Sequence, residues 1–425
     1  MRFEQADSPA RQGSLRRHNL GLVLRELVAA GPCTRAELAR RTGLTKATIS
    51  GFVETLASAG FVEDAPDGPR SKGAPGRPAS PLRLGPAAPL AAGVEIGVDF
   101  LSCCVAAPTG EVLARRWRAR DHRAGAPQER LADVAAEVAA LVATVRGGGD
   151  PRGNLGHLGR VAGVGVALPG VVGPGGRVLS APNLPTWKGL DVRDMLVAEL
   201  QRTAGGGRAG LQAPGEAPFV VEVGNEADLG ALGELWYGGH RGLSDFALVS
   251  AEVGVGAGIV VGGRLFSGAT GAAGELGHLT IDPDGPACGC GSRGCLERYA
   301  GKETLLEAAG VRDLAGLRAG ADRGDPAAVA ALSRAGSALG LAAAALVNVV
   351  DVPTLLLGGI YAELGAYLLP ALSAELRVRA VRHLWDPVRL LLAALGPQAA
   401  MRGAAGSVLE RVLSDPAVHL PEVAG

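Results

Sequence analysis

The sequence predicts a mixed α/β protein: a small winged helix-turn-helix followed by a larger, two-lobed α/β body. Three observations predict it: the helix-and-turn pattern of residues 15–84, the strand–helix alternation that starts near residue 91, and an uneven spread of charge. The chain has 425 residues, 47% hydrophobic and 20% charged, which excludes a disordered chain and a small disulfide-stapled scaffold. Its 42 basic and 42 acidic side chains cancel. Residues 1–84 nevertheless hold 13 Lys and Arg against 8 Asp and Glu, so a module at +5 is joined to a body at −5. A basic module of this size suits a polyanionic partner. Leu339 to Val350, the longest apolar run, is interrupted by Asn348 and falls short of the roughly 18–20 residues of a membrane span. Met1 to Arg17 lacks the apolar core of a signal peptide, and a soluble, cytoplasmic protein is expected.

Residues 1–14 read as a polar leader and 15–84 as the DNA-binding domain. Leu20, Val23, Leu24, Leu27 and Val28 give Leu15 to Ala30 the one-sided spacing of an amphipathic helix, ended by Gly31-Pro32. Thr34 with Glu37 forms a capping box for a second short helix, and Gly43 makes the turn. Thr45 starts a third helix through about Ala59, with Ile49, Val53 and Leu56 inward and Lys46, Thr48 and Ser50 projecting elsewhere, as in a helix that reads the major groove. Phe61-Val62-Glu63 and Leu82-Arg83-Leu84 read as the strands of a wing. Between them, the basic Gly- and Pro-rich stretch Pro66 to Ser80 carries Gly76-Arg77-Pro78, which suits an Arg77 placed in a minor groove. Three short helices alone could be a generic bundle; the local +5 charge and this wing favour DNA.

From residue 91 strands alternate with helices: Ala92–Val98, Cys103–Ala107 and Val112–Trp117, a helix over Gln128–Val145, and a strand at Val161–Leu168. Gly147 to Gly159 and Gly205 to Gly215 read as surface insertions. The body divides into a first lobe, 91–218, and a second, 219–425, whose last helix, over Arg402–Leu413, is free to pack back on the first lobe. Strands are expected at Phe246–Ser250, Ile259–Val261 and Thr354–Leu357, with helices around Ala327–Val350.

The sharpest local signal is Glu275-Leu276-Gly277-His278, then nine intervening residues, then Cys288-Gly289-Cys290 and Cys295. One imidazole and three thiolates, His278, Cys288, Cys290 and Cys295, are the donor set of a closed tetrahedral zinc site, and the glycines let the backbone wrap an ion. Iron–sulfur ligation usually takes four cysteines at another spacing. Zinc is the expected cofactor.

These residues resemble the ROK family (repressors, open reading frames, kinases). Further matching segments are Val166-Ala167-Leu168-Pro169-Gly170, Ala181-Pro182-Asn183-Leu184-Pro185-Thr186-Trp187 and Asn225-Glu226-Ala227-Asp228-Leu229-Gly230. The winged helix-turn-helix is similar to the repressor branch. The resemblance implies an actin-like ATPase (ribonuclease H-like) fold in the body, with a sugar between the lobes held by Asn225, Glu226, Glu275, His278 and Glu297. His278 would bind zinc through one nitrogen and reach a sugar hydroxyl through the other.

The departures speak against catalysis. Glu226 stands where the kinases carry an Asp base, and one added methylene moves the carboxylate by about an ångström. Glu95-Ile96-Gly97-Val98-Asp99 replaces Asp-x-Gly-x-Thr, and Glu252-Val253-Gly254-Val255-Gly256 replaces Gly-Thr-Gly-x-Gly, so acids stand where hydroxyls would meet phosphate. The turn Leu357-Gly358-Gly359-Ile360 is kept. The expectation is therefore a repressor of carbohydrate genes and not an enzyme. It would bind a pseudo-palindromic operator as a homodimer or dimer of dimers and answer to a sugar or sugar phosphate, with the zinc loop passing movement to the DNA-binding helices. An ATP-dependent sugar kinase carrying a regulatory DNA-binding domain is the alternative.

Overall fold

The computed structural model describes residues 12–65, 80–147, 160–203, 219–240 and 242–420. The leader through residue 11, the wing tip with Arg77, and most of both glycine-rich stretches lie outside the described residues. Helix α1 (Gln12–Ala30) buries Leu20, Val23, Leu24 and Leu27, the i, i+3, i+4, i+7 stripe of an amphipathic helix. In α2 (Arg35–Thr42) the capping box is complete: Thr34 N–H donates to Glu37 Oε2 at 2.8 Å and Glu37 N–H donates to Thr34 Oγ1 at 3.3 Å. Helix α3 (Lys46–Ser58) buries Ile49, Phe52, Val53 and Leu56 against α1 and α2, Phe52 joining the expected stripe. Strands β1 (Val62–Asp64) and β2 (Leu82–Leu84) pair antiparallel, with an Arg83–Glu63 ion pair at 2.7 Å across them.

The body holds two five-stranded sheets. The first runs through β3 (Leu90–Ile96), β4 (Phe100–Ala106) and β5 (Val112–Ala119), then α4 (Pro127–Gly147) and β6 (Val161–Leu168). A small hairpin, β7 (Val171–Val172) and β8 (Val178–Ser180), and helix α5 (Val192–Thr203) precede β9 (Val220–Asn225). The order is β5-β4-β3-β6-β9, with β9 parallel to β6 in the register Gly163↔Val220 to Leu168↔Asn225. The sheet of the first lobe thus runs past the 218/219 line. Every residue of β3, β4 and β6 is buried, because both faces of the sheet are covered. Alternate residues divide the faces: Ala92, Val94 and Ile96 pack with α4 and α5, while Ala91 and Cys104 pack with the C-terminal helix.

Helix α6 (Glu226–Tyr237) follows β9 directly and leads to β10 (Phe246–Ala251), β11 (Val255–Val261) and β12 (Arg264–Leu265). After the cysteine loop come α7 (Glu297–Ala300), α8 (Lys302–Ala309), α9 (Leu314–Asp322) and α10 (Pro326–Val350). Strand β13 (Thr354–Gly359), helix α11 (Ile360–Arg379), strand β14 (Arg389–Leu392) and helix α12 (Ala399–Ser414) complete the chain. The second sheet is ordered β12-β11-β10-β13-β14. Helix α10 is long and apolar enough to cross a membrane by length and composition alone, and it is the only such helix among the described residues. Here it is a core helix: Leu332, Leu339 and Val347 are buried in the cluster shared with α11. Helix α11, which the sequence reading does not pick out, contains Pro370 and is apolar on several sides, so its period is faint.

Helix α12 ties the molecule together. It packs on β3, β4, β6 and β9 and lies against α6, so close that a Cβ on Gly403 would stand 1.7 Å from Leu229 O. Its far end carries the DNA-binding domain. Leu413 belongs to that domain's core, and a Cβ on Gly21 of α1 would sit 2.7 Å from the carbonyls of Leu413 and Ser414. Arg25 donates to Ser414 Oγ at 2.9 Å, and Arg17 pairs with Asp415 at 3.4 Å.

Candidate functional site

His278, Cys288, Cys290 and Cys295 come together as the sequence predicts, each offering a ligand atom, all within 4.8 Å of one another. Cys290 Sγ and Cys295 Sγ are 3.7 Å apart, and Cys288 Sγ lies 3.8 Å from His278 Nδ1. A tetrahedron with metal–sulfur bonds of about 2.3 Å has edges of about 3.8 Å, so the four side chains fit a metal of tetrahedral habit. The loop is closed by its own backbone: Thr280 pairs with Cys295, Ala287 with Arg293, and Cys288 N–H donates to Ser292 O at 2.9 Å. His278 sits in a single 3₁₀ turn, Leu276–His278, pinned by the buried Leu276. Its Nδ1 faces the thiols while Nε2 points to Glu275 Oε2, 3.9 Å away.

That second nitrogen opens on a cleft between the lobes, lined by Asn183, Asn225, Glu226, Glu275, His278 and Glu297 among others. All five residues expected to meet a sugar line it. Asn183, which the sequence reading quotes in a motif but does not single out, also lines it; buried Leu184 and Trp187 hold its loop. Asn183 Nδ2 and Glu297 Oε2 flank Gly254, and Val255 N–H donates to Glu297 Oε2 at 3.3 Å. Asn225 is already engaged: as N-cap of α6 its Oδ1 accepts Ala227 N–H at 2.8 Å and Asp228 N–H at 3.0 Å, while Nδ2 donates to Gly170 O at 3.0 Å. Its placement is therefore structural, fixing both α6 and the Pro169-Gly170 turn at the cleft wall.

Behind Glu226 the cleft continues into a second, small cavity, which Glu95, Glu226 and Glu252 line together. Glu95 is 5% exposed, and among the described residues its Oε2 has no hydrogen-bond partner. Loss of solvent pushes the Glu226 carboxyl up to about 8 and that of Glu252 to about 7, with neighbouring carboxylates adding to the first. Glu95 is raised well above the usual carboxylate range by burial and by Glu252 and Glu226. Asp228, unsignalled as a site residue, is raised to about 7 by burial and by Glu275. Asp99 behaves otherwise than its motif suggests. The β3–β4 turn carries it to the cleft mouth, where Lys302 Nζ donates to it at 2.7 Å, and Glu95 faces the cavity in its stead. Arg123 and Glu303, 3.2 Å apart, make a second ion pair between the lobes.

On the helix-turn-helix, Lys46 is exposed at the start of α3 and Ser50 is partly exposed on the same helix. Thr48 bonds within the chain: its N–H donates to the N-cap Thr45, and the two hydroxyls are 2.8 Å apart. Arg40 and Arg41 at the end of α2 add basic charge next to the turn, a feature the motif reading left out.

A profile of the MarR family matches residues 21–71. The xylose repressor of Bacillus subtilis (strain 168) is 27% identical over 411 residues, 95% of this chain and 98% of its own. The crystal structure of a ROK family transcriptional regulator, a homologue of the E. coli MLC protein, matches with a TM-score of 0.74 at 26% identity, covering 95% of this chain and 98% of that one. A ROK family glucokinase from Streptomyces griseus, solved with glucose and AMPPNP, gives a TM-score of 0.60 at 26% identity and covers 74% of this chain and 98% of its own. The profile of the ROK family matches residues 91–411, most of the body described above, and the chain belongs to the ROK family.

Proposed function

We propose that this chain is a sugar-responsive transcriptional repressor, whose helix-turn-helix binds an operator with an affinity set by a small sugar or sugar phosphate held between the lobes. The observation that carries this reading is a continuous run of packed helices. Helix α1 lies on the end of α12, α12 lies on α6, and Glu226, the first residue of α6, lines the cleft. Lobe closure would shift α12 and so the seat of the DNA-binding domain. The expected route through the zinc loop starts at the same cleft, where the Leu276–His278 turn packs on β11.

Lys46 and Ser50 would face the major groove, Thr48 would order the helix start, and Arg77 would enter a minor groove. A homodimer or dimer of dimers would place two such helices on half-sites about one DNA turn apart, making the operator a pseudo-palindrome. The protein would act in the cytoplasm, where operators are. Zinc held by His278, Cys288, Cys290 and Cys295 would brace the loop and leave His278 Nε2 aimed at the sugar.

Burial raises the Glu226 carboxyl to about 8, so near neutral pH it can hold a proton and donate to a sugar oxygen as well as accept from a hydroxyl. Operator binding is tested by fluorescence anisotropy of the zinc-loaded chain on labelled DNA from upstream of its own gene, with and without a sugar panel. Salt-sensitive binding that one sugar changes is expected; saturable binding that no sugar alters would overturn the effector role. The fold shared with the Streptomyces griseus glucokinase keeps a kinase as the second reading, which ADP release in the presence of the same panel would reveal.

A further inference from the structure

We infer that the cavity between the DNA-binding domain and the body is a second ligand site, which takes a small organic cation bearing an amine or a guanidinium. Its volume is about 740 Å³, within the range of small-molecule pockets. The last turns of α1 and α6 wall it, and Glu410 of α12 and the β4–β5 turn at Pro108-Thr109 add to the lining. This is the opposite end of α6 from the sugar cleft: Glu226 begins the helix and Tyr237 ends it, roughly 18 Å on.

Both helices bring unanswered carbonyls to it. In α1, Val28 O would need the N–H of residue 32, which is Pro32. The next donors are engaged elsewhere: Cys33 N–H donates to Leu82 O at 3.1 Å and Thr34 N–H to Glu37 Oε2 at 2.8 Å, which leaves Ala29 O and Ala30 O open as well. In α6, Gly238 N–H donates to Glu234 O at 3.0 Å, and among the described residues no donor reaches Leu235 O or Trp236 O. Neither helix has a basic residue in its last turn to meet the negative end of its dipole. The side chains act in the same sense. Trp236 and Tyr237 rest on Gly406 of α12, where a Cβ would stand 2.6 Å from the Trp236 ring, and aromatic faces attract cations. Tyr237 is largely buried, and among the described residues its hydroxyl makes no hydrogen bond. Arg25 also lines the cavity, but its guanidinium is turned to α12, donating to Ser414 Oγ at 2.9 Å beside Glu410 at 3.7 Å. His240 faces Leu392 O through Nε2 at 2.9 Å. An anion would meet carbonyl oxygens and the Glu410 carboxylate; an ammonium or guanidinium supplies the donors and the charge that both helix ends lack. Such an occupant would bond α1 on one side and α6 on the other and hold the DNA-binding domain to the body. On the repressor reading above, that makes it a second input on operator affinity.

Isothermal titration of the full-length, zinc-loaded chain with agmatine, cadaverine and spermidine tests the site, with 1,5-pentanediol and glutarate as the neutral and anionic counterparts of cadaverine. At least one of the cations is expected to bind saturably with Kd below about 1 mM, and the diol and the diacid to give no saturable heat. Ala29→Lys, at an exposed position in the last turn of α1, gives that helix end an ammonium of its own and is expected to weaken the cation at least about tenfold. Trp236→Leu removes a ring face and is expected to weaken it about threefold. Both variants are checked for folding by circular dichroism. Saturable binding by none of the cations would overturn the inference, as would equal binding of cadaverine and the diol, or cation binding unchanged in both variants. Anisotropy on operator DNA reads the second input: the bound cation is expected to shift wild-type operator affinity about fivefold or more and to leave Ala29→Lys unmoved. An equal shift in both, or none in either, would overturn that role. If the wild type binds no operator, it is the repressor reading that fails, and the titration by itself decides the site.

Discussion

The cysteine loop and the carboxylate cleft lie side by side, share His278 and Glu275, and handle buried polarity in opposite ways. In the loop, four ligand atoms gather within 4.8 Å of one another, and backbone bridges hold the loop closed. In the cleft, Glu95, Glu226 and Glu252 crowd together with no cation among the described lining residues, and one carboxylate oxygen lacks any partner. The first is an arrangement that a single ion could complete. The second is costly at rest and is relieved by protons or by hydroxyl donors, which is what a ligand site requires. A rigid anchor beside a strained pocket lets one side chain, His278, belong to both.

The largest effect is expected from breaking the loop. Cys295→Ala, or removal of metal by a chelator, should lower Tm by on the order of 10 °C or more, because ion binding contributes directly to folding free energy. Calorimetry paired with metal analysis checks this; a chelated protein with unchanged Tm would mean that the loop stands by its own hydrogen bonds.

Next in size is the junction between the cleft's helices and the DNA-binding domain. Gly21→Leu drives a side chain into the backbone of Leu413 and Ser414 and should separate α1 from α12. Operator binding is expected to persist while the response to the effector, on the order of 5–150-fold for couplings of 1–3 kcal/mol, collapses to near unity. Anisotropy titrations with and without the sugar measure it, and a full response in this variant would place the coupling elsewhere.

The cleft sharpens the comparison through pH. Glu226 and Glu252 titrate at about 8 and about 7 in the folded chain against an ordinary 4.5, so the native state holds protons that the unfolded chain releases. Their contribution is greatest below pH 4.5 and is lost as pH rises towards 8. Tm should therefore fall between pH 6 and pH 8.5, and Glu226→Gln should flatten that slope; an equal slope in the variant would assign the dependence to other groups. The smallest effect is expected at the cleft mouth. Asp99→Asn removes the pairing with Lys302, whose side chains are 38% and 20% exposed, and should cost about 0.2–1 kcal/mol, visible as a small Tm shift that 0.5 M salt reduces.

What was legible in the sequence was local. The capping box of Thr34 and Glu37, the stripe Ile49, Val53 and Leu56, the strand Val161–Leu168 and the quartet His278, Cys288, Cys290 and Cys295 all lie within short stretches of chain. Helical period, capping chemistry and ligand spacing act over a few residues, and so the amino-acid order alone determined them. What joins distant stretches was decided only by the tertiary structure. Glu95, Glu226 and Glu252 meet because β3, the start of α6 and the end of β10 abut across the lobes. Asn225 was legible as a site residue but not as the tie to the Pro169-Gly170 turn, since its partner Gly170 is 55 residues away. Asp99 was read as facing the cavity and is instead paired with Lys302, 203 residues on. The seat of α1 on α12 joins residues nearly 400 apart, Arg25 to Ser414. Such contacts depend on which faces are left apolar once every element has formed, and no window of sequence contains that information.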